Sequence, residues 1–305
     1  MNSSPKVSVV IPAYNNASLL PETLDGVRWQ SFQDFEIIVV DDGSTDDTEQ
    51  AVRGYDPNIR YVKQANQGPA AARNHGVALA RGEFIAFLDH DDVWNERHLD
   101  TLLAAFARYP KAAMVFDDAQ GFGAGLALGP PHVDRDVAQS LLGKAVPIRR
   151  IWQCWVASMS VVMVRKNIFE ELGGLDPKIW GLDDLHFYLR LVARFEVRFA
   201  DYIGCRKRQT ETNLLNQVGL KGSVDCLEDL RRTDLVVVRA IGSGKYRRRL
   251  GRKQYKLGLT YLRNGDLPAA RAVLEKAYRH NLLNLKYLWR LMQAKKRLAR
   301  VADGK

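Results

Sequence analysis

The sequence predicts an α/β fold, a mostly parallel sheet covered by helices, followed by a C-terminal α-helical extension. Three observations carry this. Short, nearly all-apolar runs alternate with segments of helical spacing. Asp- and Gly-rich turns close those runs. Beyond about residue 216 the pattern stays helical to the end. The expected division is a body over residues 1–215 and a basic helical region over 216–305.

The elements follow in order. Lys6 to Ile11 reads as a strand stopped by Pro12, and Leu19 to Trp29 as a helix. Phe35 to Val40 is a second strand, Thr45 to Arg53 a helix, and Ile59 to Lys63 a third strand. Pro69 to Ala80 is an Ala-rich helix, Phe84 to Leu88 a strand, Trp94 to Arg108 a helix, and Ala112 to Phe116 a strand. Strands too apolar to face water on either side predict a parallel sheet with helices on both faces. Residues 118–150 break the series, and Gly121, Gly123, Gly125, Gly129, Pro130 and Pro131 suggest a mobile loop or hairpin at the site's rim. The apolar run Trp155 to Val164 reads as a buried strand pair, and Gly242-Ser243-Gly244 as a linker.

Composition narrows the class. Hydrophobic residues make up 46% of the chain and charged residues 26%, as in ordinary globular proteins. No apolar run nears the ~20 residues of a membrane span, and the N-terminus does not resemble a signal peptide. Cys154, Cys205 and Cys226 are too few and too scattered for a disulfide framework or a zinc site, which fits a reducing cytoplasm. The net charge of +10 is uneven: residues 231–305 hold 21 Lys and Arg against 4 Asp and Glu, whereas residues 1–230 are net −7. A catalytic body with a basic appendage is expected.

In parallel sheets, ligands sit at the carboxyl ends of strands. Pro12-Ala13-Tyr14-Asn15, Asp41-Asp42-Gly43-Ser44 and Asp89-His90-Asp91-Asp92 each fall at such an end. The three carboxylates of the last group repel one another, and Mg²⁺ or Mn²⁺ is the usual compensation; such a cation commonly holds substrate phosphates too. The plainer reading makes Asp91 or Asp92 the cap of a helix starting near Trp94. Asp42 suits a base N–H, or else a simple strand-to-helix turn capped by Ser44 or Thr45. Arg73, one turn into its helix, suits a base carbonyl or a phosphate, or else solvent.

These segments, with Asn66-Gln67-Gly68 through Asn74, resemble the inverting family 2 glycosyltransferases over roughly residues 5 to 210. The resemblance implies a GT-A fold, Rossmann-like, and a nucleotide-diphosphate sugar as donor, with UDP the default nucleotide. It implies that Pro12, Tyr14 and Asn15 line the nucleotide and that Asp42 and Arg73 serve its base and phosphate side. It assigns Asp91 and Asp92 to the ribose and a diphosphate-bound Mn²⁺ or Mg²⁺. An acid pair followed by Phe and Arg marks the catalytic base in this family; Asp183-Asp184 with Phe187 and Arg190 match. Asp184 is the expected base, with Asp183 positioning a sugar; the plainer reading is a helix N-cap pair. Arg208 stands where many members carry a His, and is expected to grip phosphates. No Gln-x-x-Arg-Trp motif occurs, so single-sugar addition is expected, onto a glycan or glycolipid acceptor in polysaccharide or glycoconjugate assembly. A lapsed, non-catalytic body or a nucleotidyltransferase of related fold are the competing classes.

Tyr255 to Tyr278 resembles one tetratricopeptide-type hairpin, though one copy is no array. Downstream, Leu283, Leu285, Trp289 and Met292 alternate with Lys286, Arg290, Lys295 and Lys296. Such a helix suits an anionic membrane surface on the cytoplasmic inner face, or a docking or dimer contact. No recognition module accompanies the charge, so nucleic acid is not expected as a partner.

Overall fold

The structure is a computed structural model that describes residues 4–123, 128–153, 157–209 and 214–302. It divides into two compact units, one of residues 1–178 and 183–213, the other of 179–182 and 214–305. Gly125 and Cys154 lie outside the described residues.

The first unit is built on one eight-stranded sheet, in the order β3-β2-β1-β4-β7-β6-β8-β5. The strands are β1 (Val7–Ala13), β2 (Phe35–Asp41), β3 (Arg60–Lys63), β4 (Phe84–Phe87), β5 (Val93–Trp94), β6 (Ala112–Phe122), β7 (Val162–Arg165) and β8 (Glu196–Arg208). The helices are α1 (Leu20–Arg28), α2 (Thr48–Tyr55), α3 (Pro69–Leu79), α4 (His98–Arg108), α5 (Arg135–Leu141), α6 (Ile148–Gln153), α7 (Lys166–Glu171) and α8 (Asp183–Val192). Every residue of β1 and β4 is buried, which is why both read as continuous apolar runs. Each Val, Ile or Phe so enclosed contributes about 1.5–3 kcal/mol.

Strands β3, β2, β1 and β4 are parallel, as are β6 and β8. The sheet is nevertheless mixed: β7 runs antiparallel to both β4 and β6, and β5 antiparallel to β8. The expected mostly parallel sheet is present, and β7, entered through a short 3₁₀ turn at Met159–Val161, and β5 are the strands that reverse.

Other expectations also shift. The run to Val164 forms that turn and one strand rather than a strand pair; residues 155 and 156 lie outside the described set. Trp94 does not begin a helix. It sits in β5, buried, and its indole N–H donates to the Ser160 carbonyl at 2.6 Å. The helix starts at His98, so Asp91 and Asp92 do not cap it. The strand expected over Ala112 to Phe116 runs on to Phe122 alongside β8, and α5 and α6 occupy part of the region read as loop. Helix α3 lies close on β1 because Gly76 leaves room: a Cβ there would stand 2.4 Å from Val10 Cγ1.

The second unit contains α9 (Leu214–Thr233), α10 (Leu235–Ile241), α11 (Ser243–Arg263), α12 (Leu267–His280) and α13 (Leu285–Ala302). Helix α9 is kinked at Gly219. Helices α11 and α12 form a hairpin whose core holds Leu262, Leu267, Ala270 and Leu274, joined by Leu291 and Ala294 of α13. Asp266 caps α12 by accepting from Ala269 N–H at 3.1 Å. The expected linker is instead a tight junction: the Gly242 N–H bonds the Val238 and Arg239 carbonyls, and Ser243 already opens α11. Among the described residues no helix is long and apolar enough to cross a membrane.

Candidate active site

The loops after β1, β2 and β4 stand side by side because those strands are neighbours in the sheet. Asn15 takes φ 46°, a left-handed conformation that Asn tolerates better than most residues. There its N–H donates to Ser44 Oγ at 2.9 Å, and its Oδ1 accepts from Thr45 N–H at 2.7 Å. Asp41, fully buried, accepts from Ser44 N–H at 2.7 Å and from the Tyr61 hydroxyl at 2.5 Å. Burial opposes its charge, yet those donors and Lys63 hold it below the usual carboxylate range. Pro12 offers its carbonyl to His90 Nδ1 at 3.0 Å, and Tyr14 stands exposed at the loop's edge.

Asp42 is buried and pins the entry to α3. It accepts from Gln64 Nε2 at 2.8 Å, Gln67 N–H at 2.9 Å and Gly68 N–H at 2.7 Å. Its carboxylate thus orders the very turn that delivers Arg73.

The acidic group after β4 is split among different partners. Asp89 Oδ1 accepts from Arg73 Nη2 at 2.5 Å, and its Oδ2 lies 3.6 Å from Lys207 Nζ. Burial works against the Asp89 charge, but the two cations hold it well below the usual carboxylate range. Asp92 is enclosed: it accepts from the Ser160 hydroxyl at 2.6 Å, Arg208 N–H at 2.9 Å and Lys207 Nζ at 3.2 Å. Ser160 Oγ also accepts from Asp89 N–H at 3.1 Å, so one hydroxyl fixes both ends of the turn. Burial alone would discharge Lys207; Asp92 and Asp89 keep it charged, well above the usual lysine range. Asp91 is the member whose carboxylate accepts no hydrogen bond among the described residues. Burial, then Asp92 and Asp89, push its pKa up to about 6.

Arg73 joins this group to the start of α8. Its Nη1 lies 3.3 Å from Asp183 Oδ2, and its buried Nε has no partner among the described residues. Asn74, next along α3, clasps Leu175 by two hydrogen bonds of 2.8 and 3.0 Å. Arg190 of α8 reaches back to the Leu172 and Gly174 carbonyls, so α3 and α8 hold the intervening turn from both sides. Asp184 closes on the N–H of Leu185 at 2.6 Å, a cap-like bond that the plainer sequence reading anticipates. Burial and then the charge of Asp183 raise the Asp184 carboxyl well above its ordinary range. Burial likewise raises Asp183, although Arg73 opposes it.

Arg208 is committed to the protein. Its guanidinium pairs with Glu22, donates to the Asp91 carbonyl at 3.0 Å and stacks 4.5 Å over Phe122. Among the described residues no group of three or more His, Cys, Asp or Glu side chains converges as for a metal ion. Asp89 pairs with Arg73 and Lys207, and Asp92 with Lys207. Asp91, with its raised pKa and no protein donor among the described residues, has the chemistry of a carboxylate that gains from a cation.

Sequence reasoning missed Ser160, Lys207 and Gln64. Ser160 sits inside an apolar run and Lys207 within a basic one, so neither carries a local signal. Only the register of β8 beside β5 and β6 places Lys207 beneath the acids.

The family model Glycosyl transferase family 2 matches residues 8–173, and the chain belongs to that family. Its fold is the GT-A fold. Over 100 residues it is 44% identical to an uncharacterised glycosyltransferase of Rickettsia felis, covering 32% of this chain and 17% of that one. The chain thus spans about a sixth of that relative's length. Among solved structures it is similar to S. aureus TarS 1-349 in complex with UDP-GlcNAc, with TM-score 0.68, 17% identity, and 98% and 92% of the two chains covered. It is also similar to the mannosyltransferase PcManGT of Pyrobaculum calidifontis in complex with GDP-Man and Mn²⁺, with TM-score 0.60, 22% identity, and 96% and 85% covered. At these identities both likenesses show the fold.

Proposed function

We propose that the chain moves a single sugar from a nucleotide-diphosphate sugar to an acceptor hydroxyl with inversion at the anomeric carbon. The observation that carries this reading is Arg73, which ties the acids after β4 to the acid pair opening α8. Leaving-group side and acceptor side then share one cleft.

In the proposed reaction the acceptor oxygen attacks the anomeric carbon as the bond to the diphosphate breaks. Asp184 takes the acceptor's proton, and its burial beside Asp183 makes it a stronger base than an exposed carboxylate. Asp183, held by Arg73, positions the sugar. Pro12, Tyr14 and Asn15 line the nucleotide, Asp42 shapes the loop under its base, and the free Arg73 Nε–H faces the donor. Arg208 meets phosphate only by exchanging Glu22 for it. A Mn²⁺ or Mg²⁺ ion on Asp91 would supply charge neutralisation for the departing diphosphate. UDP is the first nucleotide to test, with a glycan or glycolipid acceptor in polysaccharide or glycoconjugate assembly.

Thermal-shift screening of UDP-, GDP- and dTDP-sugars with and without Mn²⁺ tests the reading, because a bound donor raises the melting temperature by mass action. The expected result is a Mn²⁺-dependent shift with one sugar nucleotide, followed by slow donor hydrolysis that Asp184→Asn abolishes. Hydrolysis undiminished in Asp184→Asn overturns the assignment of the base.

A further inference from the structure

The helical unit carries an apolar surface that its own core does not use. Helix α13 turns Tyr287, Leu291 and Ala294 inward, where all three are buried. At about 100° per residue, its opposite side carries Leu285, Trp289 and Met292. They are 77%, 54% and 60% exposed, and Leu283 in the preceding turn is 93% exposed. Monomeric soluble surfaces seldom gather large apolar side chains in one strip without an occupant for it.

The strip's surroundings name the occupant. Lys286, Lys295 and Lys296 are exposed on the same helix. From Lys276 to Ala302 the sequence has eight Lys and Arg and no Asp or Glu. On one flank Arg290 and Arg297 join Lys256 and Arg263 around a recess of about 630 Å³ that Leu259 and Leu262 also line. No residue lining this recess is acidic. Aliphatic side chains and a Trp between rows of cations match the boundary between acyl chains and phosphate headgroups.

We propose that α13 and the turn before it lie on an anionic phospholipid bilayer. Leu283, Leu285, Trp289 and Met292 enter the headgroup boundary, and the flanking Lys and Arg meet lipid phosphates. Long basic side chains suit this position because their stems follow apolar surface while their heads stay in water. Each cation near such a surface adds to the attraction, and salt weakens it. A second copy of the chain fits poorly, because it would set one acid-free basic segment against another. A nucleic acid would use the cations and leave the aliphatic strip in water.

The test is flotation of the full chain with vesicles of phosphatidylcholine alone or with phosphatidylglycerol. Binding should require phosphatidylglycerol, weaken with salt, and bring Trp289 within quenching range of brominated acyl chains, a signal absent from Trp289→Phe. The combined variant Leu285→Ser, Trp289→Ser and Met292→Ser should keep its circular dichroism and donor hydrolysis yet bind anionic vesicles about tenfold more weakly or worse. Vesicle binding equal to that of the unaltered chain overturns the proposal. So does an unaltered chain that floats with no vesicle while the triple variant turns an oligomer into a monomer, which assigns the strip to a second copy. Retention of single-stranded DNA in place of vesicles overturns it as well.

Discussion

Arg73 and Asp183 stand 110 positions apart in sequence and 3.3 Å apart in space, both buried. The same guanidinium bonds Asp89 at 2.5 Å, so its planar fork spans two carboxylates that belong to different halves of the site. Removing it leaves both charges buried without their shared partner. Arg73→Met should therefore destabilise the fold by about 3–5 kcal/mol, read from urea unfolding. Arg73→Lys, a point charge able to reach one acid at a time, should fall between and lose at least tenfold in donor turnover. An Arg73→Met variant as stable as the unaltered chain would show that the two acids are not held by this bridge.

Asp184 is expected to set the acid limb of the pH–rate profile. Burial and Asp183 raise its pKa, and a base works only when deprotonated, so the rate should fall as pH drops through a value above the usual carboxylate range. Asp184→Asn should lower kcat by about 10²–10⁴ while donor affinity changes little. Asp183→Asn removes the neighbouring charge and should move the limb to lower pH. A limb that stays in place after Asp183→Asn contradicts this coupling.

The loops that build the site were legible because each follows an apolar strand whose end is marked by Pro, Gly or Asp. The acid pair 183–184 was singled out by the family resemblance, and its place at a helix start by the local pattern. What sequence could not show was pairing. The antiparallel course of β7 shows only in its pairing with β4 and β6, for which the apolar run carries no signal. The enclosure of Asp92 depends on Ser160 and Lys207, 68 and 115 residues away. Three adjacent carboxylates looked like one electrostatic problem, and the fold solves it in separate pieces. Trp94 was misplaced because its helix-like neighbourhood says nothing of β8, the partner that holds it in a strand.

Cation binding should depend on pH through Asp91. Its pKa, pushed up to about 6 by burial, Asp92 and Asp89, means that protons compete with Mn²⁺ below that value. Titration calorimetry should show Mn²⁺ affinity steady near neutrality and falling by about tenfold per pH unit on the acid side. Asp91→Asn should abolish both the binding and its pH dependence. Asp92→Asn should instead lower the melting temperature, since its oxygens serve Ser160, Lys207 and the Arg208 N–H. Mn²⁺ binding lost in Asp92→Asn but kept in Asp91→Asn would reverse the assignment.

Beneath β8 a buried His98–Asp117 pair, 2.7 Å apart, depends on the residue that passes over it. A Cβ on Gly204 would lie 1.8 Å from Asp117 Oδ2 and 2.3 Å from His98 Nδ1, closer than any side chain can stand. Gly204→Ala must then open the pair or push β8 away from β5 and β6, and overpacking of this kind costs about 1–3 kcal/mol. Burial pushes the Asp117 pKa up to about 6, so an opened pair leaves a carboxylate that is poorly tolerated near neutral pH. The melting temperature of Gly204→Ala should drop at pH 7. In an Asp117→Ala background the same substitution should cost less, because the nearer of the two atoms is gone. An equal cost in both backgrounds would place the strain elsewhere on β8.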